Sequence, residues 1–177
     1  LRPRAYLDDD VPVGEGRWLI EPMVLARLVQ AAAPAETDRV LVVAAGAGYG
    51  AALMGRLVAA VTALESPDRV EALRRALGRL APRTVTAVAG PILDGWPAAA
   101  PYDVVLVEGG VASIPEALTA QLAEGGRLLT VEVSGRPGVL GRAVRLLRLG
   151  SSVTPLPLFD AGTPLLPEFR RPSGFVF

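Results

Sequence analysis

Apolar residues in this chain fall into short unbroken runs separated by amphipathic stretches. Residues 39–44 carry Val40-Leu41-Val42-Val43 and read as a strand buried on both faces. A helix from 48 to about 58 follows, and residues 60–64 form a second run. Ser66-Pro67 opens a further helix that ends near Leu80, with Val70, Leu73, Leu77 and Leu80 on its apolar face. Residues 84–89 alternate and are β-branched, and residues 102–107 are again a continuous apolar run. Ser113-Ile114-Pro115-Glu116 has the form of a capping box, so a helix should start there and end near Glu124; residues 127–133 give the next strand. Ahead of all these, Glu21-Pro22 opens a helix with Met23, Val24, Leu25, Leu28 and Val29 at helical spacing. This alternation predicts an α/β fold with a doubly wound, mostly parallel sheet.

The two ends break the rhythm. Residues 1–16 carry Pro3, Pro12, Gly14, Gly16 and the run Asp8-Asp9-Asp10, which predicts an irregular, extended arm with a solvated acidic loop. After Ser134, residues 139–149 alternate partly, prolines recur from Pro155 to Pro172, and residues 174–177 resemble a short terminal strand. Antiparallel strands added at one sheet edge are expected here. The chain thus reads as one domain: an N-terminal arm (1–21), a βα core that would hold a cofactor (22–133) and a β-rich C-terminal part (134–177).

Candidate chemistry sits at the first strand–helix–strand unit. The turn Gly46-Ala47-Gly48-Tyr49-Gly50 follows the first core strand, and the second ends in Glu65. Glycines let backbone approach a ligand, and an acid at the second strand tip can accept hydrogen bonds from ribose hydroxyls, so the unit predicts a nucleoside cofactor. The alternative is a tight turn followed by a surface carboxylate. Glu108, with Gly109 and Gly110 just past the fourth core strand, lies where ligands gather in open α/β sheets. It is read either as an exposed loop carboxylate or as a group that orients a substrate amine or acts as a base. Asp94-Gly95-Trp96 reads as a turn before a buried aromatic.

Composition narrows the chemistry. Among 177 residues, 51% are hydrophobic and 20% charged, which suits a packed domain rather than a disordered chain. The net charge is zero, so there is no nucleic-acid footprint and no polybasic membrane patch. No apolar run is long enough to span a bilayer and no signal peptide is visible; the chain begins at Leu1 rather than Met, so targeting is not read from that end. Histidine, cysteine and lysine are absent, which removes imidazole acid–base work, thiolate chemistry, the usual zinc sites and Schiff bases. Carboxylates, hydroxyls, arginine, backbone groups or a bound cofactor must do the work.

Over nearly its whole length the chain resembles the protein-L-isoaspartate O-methyltransferase family. The resemblance rests on Ala5-Tyr6, Asp8, Pro12 and Gly14 in the arm, on residues 16–22, on Val40-Leu41 and Gly46-Ala47-Gly48-Tyr49, on Glu65 and on Tyr102-Asp103. The most recognisable block is Ile114-Pro115-Glu116-Ala117-Leu118, Gln121-Leu122 and Glu124-Gly125-Gly126-Arg127-Leu128. It implies a Rossmann-like sheet of the S-adenosylmethionine-dependent type, with Gly46, Gly48, Tyr49, Glu65 and Gly90 around S-adenosylmethionine. It also implies methylation of isoaspartyl carboxyl groups in damaged proteins or peptides, a repair activity in the cytoplasm without a metal. The departures are Ile20 at the family serine, Glu21 at the adjacent glutamine, Val42 and Ala44 in the glycine-rich motif, and Pro91 after Gly90. Glu21 is then a replacement functional group or a helix N-terminal acid favoured by the dipole. Two other readings are a non-catalytic or substrate-shifted relative that keeps the fold as a binding module, and an NAD-dependent oxidoreductase suggested by the spacing of Gly46, Gly48 and Ala51.

Overall fold

The computed structural model describes residues 7–14, 16–134, 136 and 139–170. Ala5-Tyr6 and the terminal strand expected at 174–177 lie outside the described residues. The arm is more regular than its sequence suggests: β1 (Val11–Gly14) and β2 (Arg17–Leu19) pair antiparallel. Gly14 and Gly16 take φ of +102° and +75°, values that L side chains rarely adopt, and so permit the tight reversal. Asp8 and Asp9 are exposed and Asp10 is half-buried, yet the run has a structural task. Asp10 accepts the Glu21 N–H at 2.8 Å and Asp8 accepts the Met23 N–H at 2.8 Å, which satisfies donors that the start of the next helix leaves free.

That helix, α1 (Pro22–Ala32), buries Val24, Leu25, Leu28, Val29 and Ala32. The strands that follow are β3 (Arg39–Val43), β4 (Ala60–Glu65), β5 (Val85–Ala89), β6 (Tyr102–Val111) and β7 (Leu122–Glu132), all parallel. The hairpin β8 (Gly141–Leu149) and β9 (Ser152–Ala161) adds antiparallel strands beyond β7, as the C-terminal pattern predicted. The sheet order is β5-β4-β3-β6-β7-β8-β9. The chain leaves β3 toward one edge and returns through β6 toward the other, which makes the carboxyl ends of β3 and β6 the topological switch point.

Side chains of the central strands alternate between two cores. Val40, Val42, Val104 and Leu106 join α1, α2 (Tyr49–Met54) and α3 (Val70–Leu80) on one face. Leu41, Val43, Val105 and Val107 meet α4 (Glu116–Thr119), Ile92, Leu166 and Phe169 on the other. Each such fully buried aliphatic side chain contributes about 1.5–3 kcal/mol. Leu80, expected on the apolar face of α3, is instead half exposed at its end.

Two helices are shorter than expected. α2 stops at Met54, and Gly55 brings its backbone against Val85, with no room for a side chain. α4 is a single turn with Pro115 as its N-cap and no side-chain cap, so Ser113 does not close a capping box. The chain after it joins the sheet early because Tyr102 donates its N–H to the Gln121 carbonyl at 2.8 Å, and Leu122 then pairs with Tyr102. The Asp94-Gly95-Trp96 turn is held by Gln121, which accepts the Trp96 N–H at 2.8 Å and donates to the Asp94 and Ala117 carbonyls at 2.7 Å each.

Arg127 explains part of the most recognisable sequence block. From β7 it donates to the carbonyls of Ala32 (2.6 Å) and Ala33 (2.9 Å) at the end of α1, to the Asp103 carbonyl and to Asp38 at 2.7 Å. α1 has no basic residue in its last turn, so the compensating cation comes from the sheet. An Arg127→Ala variant is expected to lose about 3 kcal/mol, the size of a lost hydrogen bond to a charged group. Urea unfolding should show a lower midpoint at unchanged slope.

Candidate functional site

The turn after β3 places its backbone at the switch point. Ala44 has φ +56°, Gly46 +51° and Gly48 +78°. Ala44 stands where the resembled motif has glycine, so a residue with a Cβ bears a left-handed conformation there, a strain of about 1–2 kcal/mol. Gly48 is required by packing: an added Cβ would lie 2.8 Å from a Leu77 methyl. Gly46 faces outward into a cleft of about 490 Å³ between the arm hairpin and the start of α3, whose lining includes Gly14, Arg17, Glu65, Asp68 and Arg69. Tyr49 is exposed at the start of α2, outside that cleft. Gly90 is buried against the Trp96 ring and donates its N–H to the Glu65 carbonyl at 3.0 Å.

Glu65 ends β4 fully buried. One carboxylate oxygen accepts the Gly46 N–H at 2.9 Å and Arg17 Nε at 3.0 Å. The other accepts Arg17 Nη2 at 2.7 Å, the Ser66 N–H at 2.8 Å and the Ser66 hydroxyl at 3.3 Å. Arg17 is only 3% exposed and turns its remaining donors to Glu168, at 3.0 and 2.8 Å. Burial works against the Arg17 charge, but Glu65 and Glu168 outweigh it and hold its pKa above the ordinary value. Burial likewise pushes the Glu168 carboxyl up, and the bonds from Arg17 more than reverse this, leaving it below the usual carboxylate range.

Glu108 lies inside β6 rather than past it, at an irregularity in the pairing with β7. It is 7% exposed, and Oε1 has no hydrogen-bond partner among the described residues. Gly50 makes room for it, since a Cβ there would fall 1.7 Å from that oxygen. Burial, with the Glu65 charge adding to it, pushes Glu108 up to about 8, so it is neutral at pH 7. Glu21 is the N-cap of α1 and not part of the cleft lining. Burial and then Asp8 and Asp10 raise its carboxyl above the ordinary value. Ile20 is buried in the core beside Val24 and Leu25. Glu65 and Gly46 are thus brought together at one cleft, while Glu21 lies outside it and Glu108 is sealed in beside Gly50.

Two charged groups linked to Glu65 escape sequence reasoning. Arg17 carries one signal, a lone cation in the apolar stretch Trp18-Leu19-Ile20; Glu168 carries none. Their presence decides how a nucleoside fits. The cleft of about 490 Å³ beside Gly46 leaves open space for a ligand. The Glu65 carboxylate does not offer a ribose a free acceptor, because its capacity is already committed to five donors.

The model of the "Protein-L-isoaspartate(D-aspartate) O-methyltransferase (PCMT)" family matches residues 1–140. A protein-L-isoaspartate O-methyltransferase of Roseiflexus castenholzii is 38% identical over 153 residues, 86% of this chain and 69% of that protein. That of Pelotomaculum thermopropionicum is 37% identical over 130 residues, 73% of this chain and 57% of that protein. The chain therefore spans between about half and two thirds of the length of such relatives. A solved protein-L-isoaspartate O-methyltransferase superposes with a TM-score of 0.80 at 24% identity, covering 93% of this chain and 54% of that one. A Plasmodium falciparum relative, solved in complex with S-adenosyl-L-homocysteine, gives 0.69 at 19% identity, covering 92% of this chain and 82% of that one. At those identities the superpositions carry the fold, and the family rests on the sequence matches. By its match over residues 1–140, this chain belongs to the protein-L-isoaspartate(D-aspartate) O-methyltransferase family.

Proposed function

We propose that this protein is an S-adenosylmethionine-dependent methyltransferase acting on the carboxyl group of isoaspartyl residues in damaged proteins or peptides. The observation that carries the reading is the family match, together with the glycine turn that opens on a cleft at the switch point. S-adenosylmethionine would supply the methyl group. A carboxylate acceptor is already a nucleophile at neutral pH, so the protein has to align it and exclude water rather than remove a proton. A chain without histidine, cysteine or lysine can do that. We also read the chain as a single domain of a cytoplasmic protein with a protein or peptide substrate; among the described residues no helix is long and apolar enough to cross a membrane.

One observation favours a second reading, a relative that keeps the fold as a binding module: Ile20 fills the position of the family serine and is buried in the core. The two separate by incubating the protein with methyl-labelled S-adenosylmethionine and an isoaspartyl peptide, with the aspartyl peptide as control. Base-labile label in the isoaspartyl peptide alone is expected. Equal background in both peptides would leave the binding module as the account.

A further inference from the structure

The Arg17 guanidinium is held at four points, two on Glu65 and two on Glu168. The carboxylate of Glu168 belongs to residues 163–170, which lie beyond the part matched to the family. This segment is fastened across the carboxyl ends of the strands. Gly110 donates its N–H to the Pro164 carbonyl at 2.8 Å and accepts the Leu166 N–H at 2.9 Å, forming a parallel bridge with Leu165. Leu166 and Phe169 are buried in the second core. Pro167 sits so close to Gly16 that an added Cβ there would meet it at 2.5 Å, and Leu166 sits equally close to Gly109. The segment is thus a strap that crosses from β6 to the arm hairpin and presents Glu168 to Arg17.

The strap and the arm converge on the one group a nucleoside would need. A ribose diol would have to replace Arg17 at Glu65, because that carboxylate has no acceptor position to spare. Arg17 also lies over the turn, with its Cβ and Cδ in contact range of an atom placed on Gly46. Half of the bonds that keep Arg17 there come from Glu168, whose side chain is 27% exposed and so within reach of water.

We propose that Arg17, held by the strap through Glu168, occupies the ribose position as an internal competitor, so that the nucleoside cofactor binds only after Arg17 leaves Glu65. This rests on the cofactor reading given above. Binding would then be limited by the fraction of molecules with Arg17 released, and the apparent dissociation constant would exceed the intrinsic one by the inverse of that fraction. Release need not open the fold: the side chain of Glu168 pairs with Arg17 and Arg69, so its removal is expected to leave the sheet and the turn in place, and Arg17 can reach the cleft that it already lines.

The test is calorimetric titration of S-adenosylhomocysteine into the wild-type chain, Glu168→Ala and Arg17→Gln, with amide hydrogen exchange of residues 163–170 followed alongside. Glu168→Ala is expected to bind about tenfold tighter than wild type, because half of the hydrogen bonds that retain Arg17 are gone. Arg17→Gln should bind at least as tightly as Glu168→Ala. In the wild type the ligand should speed exchange at Leu166, whereas a ligand that merely stabilises the fold slows exchange throughout. Equal affinity in wild type and Glu168→Ala, with exchange at Leu166 slowed by ligand, overturns the competitor and leaves the cofactor reading standing. No binding by any of the three proteins, each shown folded by circular dichroism, overturns the cofactor reading and the competitor with it. Should Arg17→Gln not fold, Glu168→Ala and the exchange data decide alone.

Discussion

An Arg17→Met variant should lose about 3–5 kcal/mol of stability, the cost of removing one partner from a buried ion pair. The reason is what remains rather than what is lost. Glu65 is fully buried, and without Arg17 its charge is met only by the Gly46 and Ser66 N–H groups and the Ser66 hydroxyl. Those are dipoles, worth far less to a buried carboxylate than a bidentate guanidinium. Equilibrium urea unfolding measures the loss. A second substitution separates the pair from the packing. In Arg17→Met/Glu65→Gln the uncompensated charge is gone, so the double variant should recover most of the loss, with a coupling energy of about 2–3 kcal/mol at the upper end for neighbours. A loss below 1 kcal/mol for Arg17→Met would mean that water reaches Glu65, and that the pair is an ordinary surface contact.

Glu108 gives the second large effect, and it depends on pH. The carboxyl ionises near 4.5 in the unfolded chain and near 8 in the folded one. Between those values the unfolded chain has released a proton that the folded protein keeps, so each rise in pH favours unfolding. Stability should fall across the window, by about 3 kcal/mol between pH 4.5 and pH 7, and level off above about pH 8. Glu108→Gln cannot ionise and should lack this slope. The two proteins should therefore differ little near pH 4.5, and the variant should be the more stable by pH 8. Denaturant midpoints at half-unit pH steps check this. A constant difference across the range would show that Glu108 is ionised in the folded protein and has found a partner.

Much of the scaffold was legible because buried parallel strands must be apolar on both faces. The runs at Val40–Val43 and around Val104–Val107 can hardly be anything else in a polar-flanked chain. The β8–β9 hairpin was legible as a change of rhythm. Elements settled by tertiary contacts were not. The early start of β7 depends on Tyr102 reaching Gln121, and the brevity of α4 follows from it. The arm hairpin depends on backbone pairing that its prolines and glycines disguise. At the site, Gly46 and Glu65 followed from the strand–turn–strand spacing. Gly48 reads equally as a tight-turn residue or a ligand contact, and Leu73 and Leu77 supply a sufficient packing reason for it. The pattern Glu-Gly-Gly reads as a loop just past the strand, but the strand continues to Val111 and buries Glu108. Arg17 and Glu168 are 151 positions apart, and no local pattern can join them.

That separation has a consequence in time. Arg17 and Glu65 are 48 positions apart, so both have been made well before Glu168. Glu168 is added much later than Glu65, with the rest of the strap around it. A chain emerging from the ribosome can therefore complete the turn, the acid and the sheet centre before the last ion-pair partner has been synthesised. The order of synthesis makes the unstrapped molecule the earlier one, and under the proposed competition a nucleoside would meet it first. On the proposed competition, whether a molecule is first filled or self-occupied would be a race between ligand encounter and synthesis of the strap.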